Sequence, residues 1–299
     1  MYPNFSRPKG RALIINNRDF SKCSLDDRPG TEADHDAICE LFTEFGYHIV
    51  DRPDLTAAEM LCAIREFASD HRHERYDSAI VVVMSHGLHG KLYGVDGETV
   101  DCVTFIAALN AKECPLLAEK PKLFFLQACR TVATADEMLQ ADGAASNATD
   151  QDTLKRQRSL NAMLLSSVQD VADARELKKR IPVDADVFVG YSTAAYTNAW
   201  RSARRGSWFI QTTVQVLRED HHKDDLLSMM TKVNRLVAER MTEQHEQVPE
   251  PCSRLRKKFY FFVGLSQPLV DESFQPVIQP IANSTKPSQR SKKGCCAVL

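Results

Sequence analysis

The hydrophobic positions fall into two alternating kinds of segment. Short continuous apolar runs, Ala12-Leu-Ile-Ile-Asn16, Tyr47 to Val50, Ala79-Ile-Val-Val-Val-Met84, Leu123 to Leu126, Ile181 to Val189 and Lys258-Phe-Tyr-Phe-Phe-Val263, are too short for helices and rich in β-branched or aromatic residues. They predict buried strands. Between them lie segments with an apolar stripe at helical spacing. One runs from a capping box at Thr31-Glu-Ala-Asp34 to about Phe45. A second is capped by Thr56-Ala-Ala-Glu59, with Met60, Ile64 and Phe67 inward. Others cover roughly Val100 to Asn110, Ser207 to Arg218 and Asp224 to Met241, and Asp96-Gly97 predicts a hairpin. Strands alternating with helices predict an α/β fold around a mostly parallel, doubly wound sheet.

The pattern breaks twice. Residues 132–180 begin with a stretch rich in Ala, Asp, Thr, Asn and Gln, with a loose helix expected over Leu160 to Leu177. From Ser266 the chain is rich in Pro, Ser, Gln and Lys. Neither composition buries much apolar surface. The expected organisation is therefore a short segment 1–10, a first folded part 11–131, a flexible linker 132–180, a second folded part 181–265 and a disordered tail 266–299.

A net charge of −2 gives no reason to expect nucleic-acid binding. No run reaches transmembrane length and no signal-peptide pattern opens the chain. The nine cysteines show no C-x-x-C pair and no zinc spacing, so reduced thiols in a cytosolic protein are expected.

Chemistry gathers at two strand ends. The run Leu123–Leu126 stops at Gln127-Ala-Cys129, and the run Ala79–Met84 stops at Ser85-His86-Gly87. In open α/β sheets, sites lie beyond the carboxyl ends of the strands. If these two strands are neighbours, a thiol and an imidazole meet at one edge: a nucleophile and a base.

Gln127-Ala-Cys-Arg-Thr131 is similar to the signature around the caspase nucleophile. Ser85-His-Gly-Leu-His-Gly-Lys-Leu-Tyr-Gly-Val-Asp-Gly97 resembles that family's histidine segment. The resemblance runs from about Arg11 to Val263. It implies a three-layer caspase-like fold with a six-stranded sheet flanked by helices. It also implies a large subunit and a small subunit, and a homodimer formed near a Phe259–Val263 strand. The implied activity is a cysteine endopeptidase that cuts proteins after aspartate with a Cys129/His86 dyad, using no metal or organic cofactor. The backbone N–H groups of Gly87 and Cys129 are expected to face the oxyanion. Arg28, Arg201 and Gln127 match the pocket that clamps the substrate aspartate. Ser85, Trp200 and Trp208 match the surrounding substrate-binding positions. A short N-terminal segment resembles executioner members and implies a role in programmed cell death.

Some residues depart from the family pattern. Thr131 stands where the signature has Gly, and a β-branched residue is costly there if the position needs a positive φ. It is the one support for a rival reading, a catalytically weak homologue acting as a regulatory partner. Asn198 and Ala199 replace Tyr and Ser, which opens the neighbouring subsite. The loop Arg240 to Gln247 is short, which leaves the fourth subsite undefined.

The linker offers Asp170-Val-Ala-Asp173 and Leu139-Gln-Ala-Asp142 as self-processing sites, each followed by a small residue. Cys296-Ala-Val-Leu299 is a C-terminal prenylation box that favours geranylgeranyl. Cys295 beside it is a palmitoylation candidate, and Lys286, Arg290, Lys292 and Lys293 supply a basic run. One lipid chain with a basic patch or a second chain anchors stably. A cytoplasmic protein tethered to a membrane by its tail is the expectation.

Overall fold

The computed structural model describes residues 1–131 and 182–265. The linker with Asp142 and Asp173, and the tail with Cys295 and Cys296, lie outside the described residues.

The chain begins with β1 (Gly10–Asn16), α1 (Thr31–Glu44), β2 (Tyr47–Pro53), α2 (Ala57–Ala68) and β3 (Ser78–Met84). Three short strands follow, β4 (Gly87–Leu88), β5 (Lys91–Tyr93) and β6 (Thr99–Asp101). Then come α3 (Cys102–Ala107), β7 (Lys122–Gln127), β8 (Val187–Tyr191), β9 (Arg201–Ser202) and β10 (Gly206–Ser207). The last elements are α4 (Trp208–Asp220), α5 (Leu226–Ala238) and β11 (Glu250–Ser253).

Six strands form one sheet in the order β11-β8-β7-β3-β1-β2. All neighbours are parallel except β8 and β11. The alternation along each strand sorts its side chains to two faces. Ala12, Ile14, Ile80, Val82, Leu123 and Phe125 join α1, α4 and α5 in one core. Leu13, Ile15, Val81, Val83, Phe124 and Leu126 join α2 and α3 in the other. A mostly parallel sheet between two helical layers is the expected fold. Its inner strands β1, β3 and β7 are fully buried, which explains why they read as unbroken apolar runs rather than alternating ones.

The Thr56 cap forms as the sequence predicts. Thr56 Oγ1 accepts the Glu59 N–H, and Glu59 Oε2 accepts the Thr56 N–H at 2.8 Å. The Thr31 cap does not. The N-cap of α1 is Gly30 in the left-handed conformation, and Thr31 is the first helical residue. Thr31 Oγ1 instead donates to Asn16 Oδ1 at 2.6 Å, and Asp34 is drawn into the site described below. The helix expected over Val100 to Asn110 is shorter, because Val100 pairs with Leu92 in the β5–β6 hairpin.

The sixth strand is also relocated. Lys258–Val263 does not enter the sheet, and Glu250–Ser253 pairs with β8 in its place. Pro249 and Pro251 hide that strand in the sequence, yet proline is tolerated at a sheet edge. Lys258–Val263 buries Phe259 and Phe261 against the helices, with the Phe261 ring 4.8 Å from that of Phe45. Its other side is held by the first residues of the chain: Tyr2 N–H donates to Lys258 O at 2.9 Å, and the Phe5 ring stacks on Phe262. Tyr2 also donates to Asp186, which accepts from Arg256 Nη2 at 2.6 Å.

Candidate active site

The parallel register sets the cleft. Met84 at the end of β3 lies opposite Gln127 at the end of β7, and Ser85 N–H donates to Gln127 O at 3.1 Å. The peptides that follow, with His86 and Cys129, leave the sheet side by side. Gly87 keeps the two loops in contact. A Cβ there would lie 2.8 Å from both the Ala128 Cβ and the Cys129 carbonyl oxygen, so only glycine fits. A Leu88–Thr131 bridge and the His89 N–H on Thr131 O at 2.8 Å continue that contact.

Cys129 Sγ receives the Ala199 N–H at 3.5 Å. Among the described residues no acceptor takes the Cys129 N–H itself, so it remains free for a developing oxyanion. His86 packs its ring edge-on to Phe20, and its Nε2 is 2.7 Å from the Asp26 carbonyl. Burial lowers its pKa, and the cations Arg28 and Arg201 lower it further, outweighing the Asp26 hydrogen bond. A neutral imidazole near physiological pH is a competent base.

Two arginines from distant parts of the chain converge beside the thiol. Arg28 is 1 % exposed and donates from Nη1 to Asn17 O at 2.7 Å. Burial pushes its pKa down to about 9, and the charge of Arg201 adds to that. Arg201 stands on β9 and donates from Nε to Pro29 O at 3.0 Å. Burial lowers its pKa too, while Asp34 and Cys129 act in the opposite sense. Gly30 makes the approach possible. At φ 85° it passes so close to the hairpin that a Cβ would sit 2.4 Å from the Ser202 carbonyl. Gln127 is buried, and its Oε1 has no partner among the described residues. A pair of crowded cations is a receptor for a carboxylate, which Gln127 could join only through its Nε2 amide, since the unpartnered Oε1 is itself an acceptor.

Ser85 is buried and its hydroxyl donates to Tyr93 O at 2.7 Å, which holds the histidine loop rather than facing the cleft. Trp200 donates from Nε1 to Glu246 O at 3.0 Å and meets the His245 ring edge-on. Its carbonyl accepts the Trp208 N–H at 3.1 Å, so the two tryptophans close the open end of the β9–β10 hairpin. Gln247 fastens the same hairpin through Trp200 N–H at 2.8 Å.

Two contributors were invisible in the sequence. Asp34 is buried on α1 and accepts the Ser207 N–H at 2.9 Å and Gln211 Nε2 at 2.8 Å. Burial raises its carboxyl pKa against those hydrogen bonds. It ties the Arg28 turn to the Arg201 hairpin. Arg130 donates to Thr193 O and Glu250 and lies over the Tyr191 ring, anchoring the cysteine loop to β8 and β11. The Thr31–Asp34 spacing points to a helix cap, not to this tie between two distant loops.

Thr131 does not carry the strain expected of it. The non-glycine residues with positive φ among those described are Asp54, Glu119, Asp186, Tyr196 and Phe262. Thr131 makes an isolated bridge to Leu88, a β-type position that suits a β-branched side chain.

The profile of the caspase domain matches residues 9–260. The chain is similar to Cell death protein 3 of Caenorhabditis remanei, 38 % identical over 88 % of this chain and 52 % of that protein. It is also similar to Caspase-2 of Gallus gallus, 34 % identical over 88 % of this chain and 61 % of the relative. To Caspase-8 of Mus musculus it is 32 % identical over 87 % of this chain and 52 % of the relative. The chain thus spans between half and two thirds of the length of these relatives.

Proposed function

We propose that this chain, which belongs to the caspase family, is a cysteine endopeptidase that cleaves proteins after aspartate. The observation that carries the reading is the pair Arg28 and Arg201, two cations with depressed pKa values held beside Cys129. A substrate carboxylate placed between them, with Gln127 donating its amide, restores the charge balance and sets the next carbonyl against the thiol. Cys129 attacks as thiolate. His86 takes the proton and delivers it to the leaving amine. The Cys129 and Gly87 N–H groups receive the oxyanion. Water then hydrolyses the acyl-enzyme.

The wider reading follows the relatives. Cleavage at Asp173 or Asp142 activates the chain, and the protein acts in programmed cell death. A second copy pairs along the outer edge of β11, since β11 and not Lys258–Val263 ends the sheet. The tail carries a prenyl group on Cys296, with Cys295 as a second lipid site, and holds the protein at a membrane. A Cys296→Ser protein that takes up a prenyl analogue as well as the wild type does would remove that last element.

The deciding experiment is hydrolysis of fluorogenic peptides ending in Asp, Glu or Arg by wild type and Cys129→Ala. Asp-selective turnover lost in the variant is the expected outcome. No turnover after linker cleavage would favour a regulatory homologue, although the relaxed geometry of Thr131 removes the feature that supported it.

A further inference from the structure

The β9–β10 hairpin carries Arg201 on its strand side and Arg204 and Arg205 in its turn. That turn opens onto a surface groove of about 1180 Å³ that runs along α4 and includes Ser202, next to Arg201. The groove is walled by Arg204, Arg205, Trp208 and Arg240, with Gln211 and the buried Val214 beneath. Its charges are of two kinds. Arg218 is paired with Glu40 and Glu44, and Glu219 with Lys232. Among the described residues no carboxylate pairs with Arg204, Arg205 or Arg240, which are all exposed. A single exposed arginine is ordinarily just solvated. Three uncompensated ones around one concavity produce a focused positive potential.

The position of the groove says which part of a ligand reaches it. Along the chain Ala199 touches the Cys129 sulfur, Arg201 follows, and Arg204 and Arg205 lie beyond. A substrate whose aspartate sits at Arg201 and whose scissile carbonyl sits at Cys129 sends its leaving side past the thiol. Its N-terminal side runs away from the thiol toward the groove. Four extended residues span about 13 Å. The stretch of α4 from Trp208 to Gln215 covers roughly 10 Å of helix axis.

The geometry points to a second recognition site in this groove: it binds an acidic, extended segment of the substrate protein that lies N-terminal to the four residues before the cut. The inference rests on the peptidase reading above and names its substrate class. Proteins with two or more Asp or Glu in that upstream segment are preferred. The attraction is long-range and screened, so it acts mainly on capture and on KM rather than on the chemical step.

The test uses internally quenched peptides that share one Asp-ended four-residue core. Each is extended upstream by four Glu, four Gln or four Lys. With wild-type protein at low salt, the Glu extension should raise kcat/KM about tenfold over Gln, chiefly through KM, and Lys should lower it. The gain should vanish at 0.5 M salt and in the triple variant Arg204→Gln/Arg205→Gln/Arg240→Gln. The unextended core serves only as the baseline for each protein, because Arg240 opens the loop beside the fourth subsite; the Glu-to-Gln ratio is the readout. Equal kcat/KM for Glu and Gln extensions in wild type overturns the inference while leaving the peptidase intact. If no peptide is cut, the peptidase reading fails, and fluorescence polarisation of the same peptides decides the groove separately. Tighter binding of the Glu peptide to wild type than to the triple variant upholds it; equal binding overturns it.

Discussion

The two sides of the cleft are built on different principles. On one side, the His86 and Cys129 loops continue the neighbouring strands β3 and β7, which pair without a break with each other and, through β3, with β1. On the other, the β9–β10 hairpin has only two paired positions and lies outside the main sheet. It is held by side chains: Asp34 on Ser207, Gln247 on Trp200 and Arg201 on Pro29. Cys129 therefore inherits the rigidity of the core, while the position of Arg201 depends on a few single contacts. Loss of one such contact should change specificity long before it changes the chemistry.

Arg28 and Arg201 sharpen that contrast most. Arg28→Ala should lower kcat/KM for Asp peptides by about a thousandfold, in line with removal of a buried charged partner. It should also lower the thermal midpoint, because it empties a fully buried site. Arg201→Ala should cost about a hundredfold in kcat/KM with the melting curve unchanged, since that side chain is only half-buried. Equal effects of the two variants on stability would erase the distinction.

Asp34→Asn comes next. It keeps the shape but weakens the acceptor of Ser207 N–H, so KM should rise about tenfold while kcat falls by less than about threefold. Stability should drop by roughly 1–2 kcal/mol, measured by denaturant titration. A kcat loss as large as the KM change would mean that Asp34 supports the cysteine side as well.

A pH profile probes the histidine side. The folded pKa of His86 lies below its ordinary value, so the neutral base persists to lower pH and the acid limb of kcat/KM falls below the usual histidine range. In Arg201→Gln one of the charges that depresses it is gone, and the limb should move up. Thr131→Gly should have the smallest effect, a change within about twofold, because the threonine is unstrained.

Legibility followed the same division. Continuous apolar runs announced β1, β3 and β7, and the polar residues that ended them announced Cys129 and His86. The fold class, the order of the helices and the Thr56 cap were equally plain. What stayed hidden depended on distant partners. Glu250–Ser253 has two flanking or internal prolines and no apolar run, so only its pairing with β8 makes it a strand. Phe259 and Phe261 look like a strand because alternation shows burial but not what does the burying. Asp34 looks like a cap residue until Ser207, far along the chain, arrives to use it.

The place of β8 in the sheet has a consequence for synthesis. β7 ends at Gln127, yet the strand that covers its open edge is Val187–Tyr191. On a ribosome working at about 5–20 residues per second, that edge waits on the order of 3–13 s for its partner. During that interval Leu123, Phe124, Phe125 and Leu126 present a bare, apolar hydrogen-bonding row, the kind that pairs with any strand it meets. The nascent chain is thus most prone to aggregate just after the strand that leads to Cys129 has been made.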